Sequence, residues 1–195
     1  MTRKSIVAVT LFAICAFSIS LVGENAKQQE KQAATPMPEM GASKEIKAMI
    51  KKVSGTWKAH TKFKMDPAAT EWNESDGEAK VEVAIDSCAV IWQFTGMMMG
   101  MPFKGMNIFN YNRETKKYMS YWIDNMGGAS SYWEGTLDPK TGNYEYKGAD
   151  MMMGKLIYEK MVISAPDAKT VLMTIDQSAD GKSYSRAMEV TYTRM

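Results

Sequence analysis

The stretch Gly55-Thr56-Trp57-Lys58-Ala59-His60-Thr61-Lys62-Phe63-Lys64-Met65 alternates without a break. Trp57, Ala59, Thr61, Phe63 and Met65 fall on one side; Thr56, Lys58, His60, Lys62 and Lys64 fall on the other. A period of two puts successive side chains on opposite faces of an extended chain, so one face is expected buried and one solvated. Ala79, Val81, Val83 and Ile85 repeat the pattern against Glu78, Lys80 and Glu82. Runs of this kind continue at 88–96, 103–111, 117–124, 129–137, 143–149, 155–164, 170–177 and 183–194. Turn chemistry separates them, at Asp76-Gly77, Asn112-Arg113, Asn125-Met126-Gly127, Asp138-Pro139, Ala165-Pro166 and Asp180-Gly181. Upstream, Ser43 reads as the N-cap of a helix over 44–52, with Ile46, Met49, Ile50 and Val53 on one face. Ten short strands and one helix predict an all-β fold, an up-and-down antiparallel β-barrel of about ten strands with a short N-terminal helix at one end. An open sandwich is the other arrangement; closure is preferred because it leaves no strand edge unpaired.

The strand pattern begins late in the chain. Arg3 and Lys4 precede a charge-free run from Ser5 to Val22, the pattern of a secretory signal peptide. A retained membrane anchor, or a lipoprotein modified at Cys15, are the alternatives; Ile14 occupies the place where lipoprotein processing needs a small residue. The expected organisation is a signal peptide at 1–23, a polar linker at 24–42 holding Pro36 and Pro38, and the barrel at 43–195. The product is expected outside the cell or in the periplasm. Of the 24 basic residues two lie before Glu24, so 22 remain against 22 acidic ones. That neutral balance lacks the basic footprint of a nucleic-acid binder. Removal of Cys15 leaves Cys88 as the one cysteine, read as a small buried hydrophobe.

Some residues carry a likeness. Gly55-Thr56-Trp57 after a helix resembles the Gly-x-Trp opening of lipocalins and other calycins. The resemblance implies a basic residue of the last strand packed across Trp57, here Arg194, with Arg186 as the alternative. A closer resemblance covers most of residues 45–195. Gly100-Met101-Pro102-Phe103, Lys117-Tyr118 and Trp122-Ile123-Asp124-Asn125-Met126 are similar to the secreted bacterial family called domain of unknown function 1579. The ending Met188-Glu189-Val190-Thr191-Tyr192-Thr193-Arg194 fits the same family. The chain departs from it at Ser87-Cys88-Ala89 and Asn112. The resemblance implies a barrel and a compartment, and no reaction.

His60 is the only histidine, and alternation puts it with the lysines on the outer face. A histidine-ligated haem, a histidine-based zinc site and a Ser-His-Asp triad each require it inside, so none is expected. Trp57, Phe63, Phe109, Tyr111, Trp122, Trp133, Tyr184 and Tyr192 are expected to line the interior. Arg186 shares the parity of Tyr184, Met188 and Val190 and would be an inward polar anchor for a ligand carboxylate. Asp124 reads either as a ligand acceptor beside Trp122 or as a turn aspartate. The expected partner is therefore a small hydrophobic or amphipathic ligand. An enzyme with an Asp/Arg/Tyr-lined cavity is a weaker reading, because few residues here bear chemistry.

The chain holds 19 methionines. In a meander, the links that carry Met97, Met98, Met99, Met101, Met126, Met151, Met152 and Met153 fall at one end, away from the helix. Three readings follow. These residues form an adaptable apolar mouth, a thioether site for Cu(I) in a metal-handling protein, or mere surface-loop packing or a scavenger of oxidants through reversible sulfoxide formation.

Overall fold

The computed structural model describes residues 39–66, 69–128, 130–152 and 154–195. The chain forms two compact units, Met1–Met40 and Gly41–Met195, and every described helix and strand lies in the second. The expected signal peptide, most of the linker and Met153 fall outside the described residues. The elements are α1 (Lys44–Val53), β1 (Gly55–Phe63), β2 (Asn73–Ala84), β3 (Ala89–Met98), β4 (Met101–Asn112) and β5 (Lys117–Asp124). They continue with β6 (Ser131–Leu137), β7 (Tyr144–Met152), β8 (Lys155–Ser164), β9 (Thr170–Ser178) and β10 (Ser185–Arg194). Each strand pairs antiparallel with its neighbours in sequence, and β10 closes on β1 through Trp57–Arg194 to Phe63–Met188. The expected closed meander is what forms.

Helix α1 starts where Ser43 accepts the amide of Ile46 at 3.2 Å. It buries Ile46, Met49 and Val53. The Trp57 indole N–H donates to the Val53 carbonyl at 2.9 Å, which ties the helix end to the first strand. Arg194 lies over the same indole, 4.1 Å from ring to guanidinium, as the calycin likeness implied. Below the helix the barrel is filled by rings. Tyr192 meets Trp92 edge-on at 4.9 Å, Phe109 lies 5.7 Å from Tyr146, and Tyr118 meets Tyr144 at 5.0 Å. Burying each such side chain is worth about 1.5–3 kcal/mol or more, so this layer holds the fold.

Several local expectations change. Asp76-Gly77 is not a turn; both residues lie inside β2, and the β1–β2 link falls after Phe63. Gly77 pairs with Ala59, and a Cβ there would come 2.6 Å from the Thr95 carbonyl oxygen and 2.7 Å from the Phe94 ring. The glycine is required by the close approach of β3, backbone and ring together, not by a bend. Met65 lies beyond the end of β1 and is exposed. Cys88 is half-buried, in the tight β2–β3 link. That link holds Ile85, Asp86 and Ser87 at φ of 50°, 50° and 69°, with the Cys88 amide bonded back to Ile85 at 2.8 Å.

Candidate functional site

The two ends of the barrel differ. The links β2–β3, β4–β5, β6–β7 and β8–β9 surround the helix; the other five links form the opposite end. There the inward positions become polar. Trp133 and Glu159 face each other across Gly148, which pairs with both. The Trp133 indole donates to Glu159 Oε2 at 3.1 Å, and Gln177 Nε2 donates to Oε1 at 2.8 Å. Glu159 is 6% exposed. Burial raises its carboxyl above the ordinary range; the bonds from Gln177 and Trp133 oppose that, and nearby Asp150 adds to it. Ser131 donates to Asp150, and Ser120 donates to Asn107 Oδ1 at 2.9 Å.

Nearer the end away from the helix, the Trp122 indole donates to Asp124 Oδ2 at 2.9 Å. Asp124 Oδ1 accepts the Met126 amide at 2.9 Å. Asp124 therefore heads the turn, one of the two readings foreseen for it, with its other oxygen bonded to the Trp122 indole. The Trp122 ring stacks on Phe103 at 6.2 Å, and Phe103 lies 5.9 Å from Phe94. The result is an aromatic shelf beside three inward carboxylates, Asp124, Asp150 and Glu159. A shelf of this kind can hold an apolar body while the carboxylates accept from N–H or O–H donors.

The methionines lie at this end. Met97, Met99, Met101, Met126, Met151 and Met152 are all exposed, while Met98 is half-buried against the core. Only Met99 of the first group lies in a turn; Met97 and Met98 extend β3, and Met101 opens β4. Met98, Met101 and Met126 line one pocket of about 300 Å³ with Pro102, Phe103 and Asn125. Met152 stands apart, its sulfur 3.3 Å from Gln177 Nε2.

The expected lining residues divide. Trp57, Phe109 and Tyr192 are buried in the ring layer under the helix, and half-buried Tyr111 packs against Tyr118 there. Phe63, Trp122, Asp124 and Trp133 belong to the other half. Two residues move outside altogether. A β-bulge between Arg186 and Met188 inserts Ala187 as an extra residue, so the parity inverts. Arg186 then bonds Asp176 Oδ1 at 2.5 Å and Glu189 Oε1 at 2.9 Å on the outer face. Tyr184 precedes β10, with the Lys160 ammonium 3.6 Å over its ring. Neither can anchor a ligand inside, and the arginine drops out of any Asp/Arg/Tyr-lined cavity.

The alternation singled out His60 correctly as outward. It bonds Asp76 at 2.9 Å beside a shallow groove of about 530 Å³ across β10, β1 and β2. Sequence reasoning missed Glu159 and Asp150, although the signal was present. Ile157, Glu159, Met161 and Ile163 share one parity, as do Tyr144, Tyr146, Gly148 and Asp150. A carboxylate on the apolar side of a strand is the mark of an inward charge.

The family described as "Protein of unknown function (DUF1579)" matches residues 42–194. Among solved structures, the chain is similar to an S-type phycobiliprotein lyase, CPES, from Guillardia theta. The identity is 10% and the TM-score 0.51, over 77% of this chain and 92% of that one. It is also similar to a de novo designed fluorescence-activating β-barrel, at 14% identity and a TM-score of 0.42, over 74% of this chain and 94% of that one. The likeness to the lyase is one of fold. The chain matches no curated protein.

Proposed function

The chain belongs to the DUF1579 family, and we propose that its barrel is a binding module for a small amphipathic ligand at the end away from the helix. The observation that carries this reading is the pairing of an aromatic shelf, Phe103 on Trp122, with the inward carboxylates Asp124, Asp150 and Glu159. The shelf suits an apolar body, and exposed methionines around it suit a lip that adapts to different shapes. The outward turn of Arg186 removes the guanidinium that would select a ligand carboxylate. The favoured polar end of the ligand is therefore a hydrogen-bond donor or an ammonium group. The charged n-region and apolar run at 1–23 support delivery out of the cytoplasm.

A dansylated long-chain amine and a dansylated fatty acid of equal length test the reading. The amine is expected to bind with a blue-shifted emission and the acid to bind at least tenfold more weakly. Asp150→Asn is expected to cost the amine about tenfold, the worth of one charge-assisted hydrogen bond of about 1.5 kcal/mol. Equal binding of both probes, or of neither, would overturn the proposal.

A further inference from the structure

We infer that Met98, Met101 and Met126 form a thioether site for a soft monovalent cation, Cu(I) by chemistry. Three of the six residues lining the 300 Å³ pocket at the end away from the helix are methionines. They come from three places in the chain: the end of β3, the start of β4 and the β5–β6 link. The residue that brings the third to the other two is Asn125. Its Oδ1 accepts the Lys104 amide at 2.8 Å, and its Nδ2 donates to the Pro102 carbonyl at 3.0 Å. The Asn125 amide adds a bond to the Lys104 carbonyl at 3.0 Å. The β5–β6 turn is thus stapled to β4, and Asp124 holds the Met126 amide from the other side. Met126 is positioned by four hydrogen bonds that involve no sulfur.

The donor chemistry selects the cation. Among the described residues no three of His, Cys, Asp and Glu gather where they could hold a metal ion. Harder and borderline cations, which want oxygen or imidazole, find no such set here. Thioethers are neutral, soft donors that favour Cu(I), and their three rotatable bonds let the sulfurs converge. Pro102 and Phe103 wall the pocket with apolar surface, which suits a weakly hydrated cation. Asp124, bonded to Trp122 and to the Met126 amide, places a negative charge beside it. The proposal concerns binding alone, with no change in the oxidation state of the metal. It does not depend on the amphipathic ligand, since leucine would preserve an apolar lip while removing sulfur.

The test uses the full chain under anaerobic ascorbate, with a chromophoric Cu(I) chelator as competitor. One Cu(I) per chain is expected, with no uptake of Zn(II) in parallel samples. The triple variant M98L/M101L/M126L is expected to weaken Cu(I) at least tenfold, and M151L/M152L to leave it within twofold. Wild-type protein that cannot compete with the chelator, or a triple variant that competes as well as wild type, would overturn the site. Loss in M151L/M152L instead would overturn it as well. Should the triple variant fail the circular-dichroism check for folding, M126L alone decides, because residue 126 is exposed in a turn. A several-fold loss is expected there, and unchanged affinity refutes the assignment.

Discussion

Trp122 lies so closely over Gly105 that a methyl group on residue 105 would come within 2.2 Å of the indole. The ring is also stacked on Phe103 and bonded to Asp124, and a retreat from residue 105 would disturb both contacts. Gly105→Ala is expected to push Trp122 off the shelf and to cost about 1–3 kcal/mol, the usual penalty of overpacking. Urea denaturation gives the stability, and the dansylated amine should bind more weakly. Unchanged stability together with unchanged probe binding would mean that the ring can yield at no cost.

The Arg194 guanidinium combines a place over Trp57 with bonds to the carbonyls of Ser54 and Ala168, both at 2.7 Å. It clamps helix end, last strand and the β8–β9 link together. Arg194→Ala is expected to lose about 2–3 kcal/mol. Arg194→Lys should recover only part, since an ammonium lacks the planar fork. Full recovery by lysine in a thermal melt would show that charge alone matters.

Glu159 links stability to pH. Its folded pKa is raised above the ordinary value of 4.5, so the folded state favours the protonated carboxyl. The stabilisation this gives is complete below the unfolded pKa and is lost as pH rises through the folded one. Glu159→Gln cannot titrate. Wild type is therefore expected to lose ground against the variant between about pH 4 and neutrality. Urea midpoints at pH 4 and pH 7 measure this, and a gap that stays constant would contradict the burial argument.

Tyr146 is fully buried, and its hydroxyl has no hydrogen-bond partner among the described residues. Burial holds its phenol well above the ordinary pKa of 10.0. An orphan buried hydroxyl costs about 1–3 kcal/mol in desolvation, so Tyr146→Phe is expected to stabilise by about 1 kcal/mol. A loss of stability in calorimetry would reveal a partner, such as an internal water.

Arg186 gives the opposite kind of test. Its ion pairs with Asp176 and Glu189 lie on the outer face and are partly exposed. Arg186→Ala is expected to cost no more than about 1 kcal/mol and to leave the affinity for the dansylated amine unchanged. A large drop in affinity would return the guanidinium to the interior.

Much of the fold was legible because its signal is local. The alternation in Gly55–Phe63 needs only neighbours in sequence, and the helix after Ser43 needs only its cap and its apolar spacing. Gly77 misled because the glycine answers to Phe94 and the Thr95 carbonyl, both in the next strand. The candidate site was legible in part. Trp122 and Asp124 were placed from their parity, and the methionine-bearing links from strand order. Arg186 was misplaced because one extra residue in β10 reverses every parity beyond it. Glu159 was readable from parity and went unread amid the hydrophobic run of β8.

The sequence by itself determined the ten strands, the capped helix before the first of them, the outward face of His60 and the end of the barrel to which the methionine-bearing links go. These depend on periods of two and 3.6 and on the order of elements along the chain. Only the tertiary structure decided which methionines share a pocket, that Arg186 points outward, and that Trp133 and Gln177 meet on Glu159. Those relations join residues as far as 44 positions apart, as Trp133 and Gln177 are. They are set by barrel closure, a bulge and the side-chain staple of Asn125, and no local period in the chain records any of these.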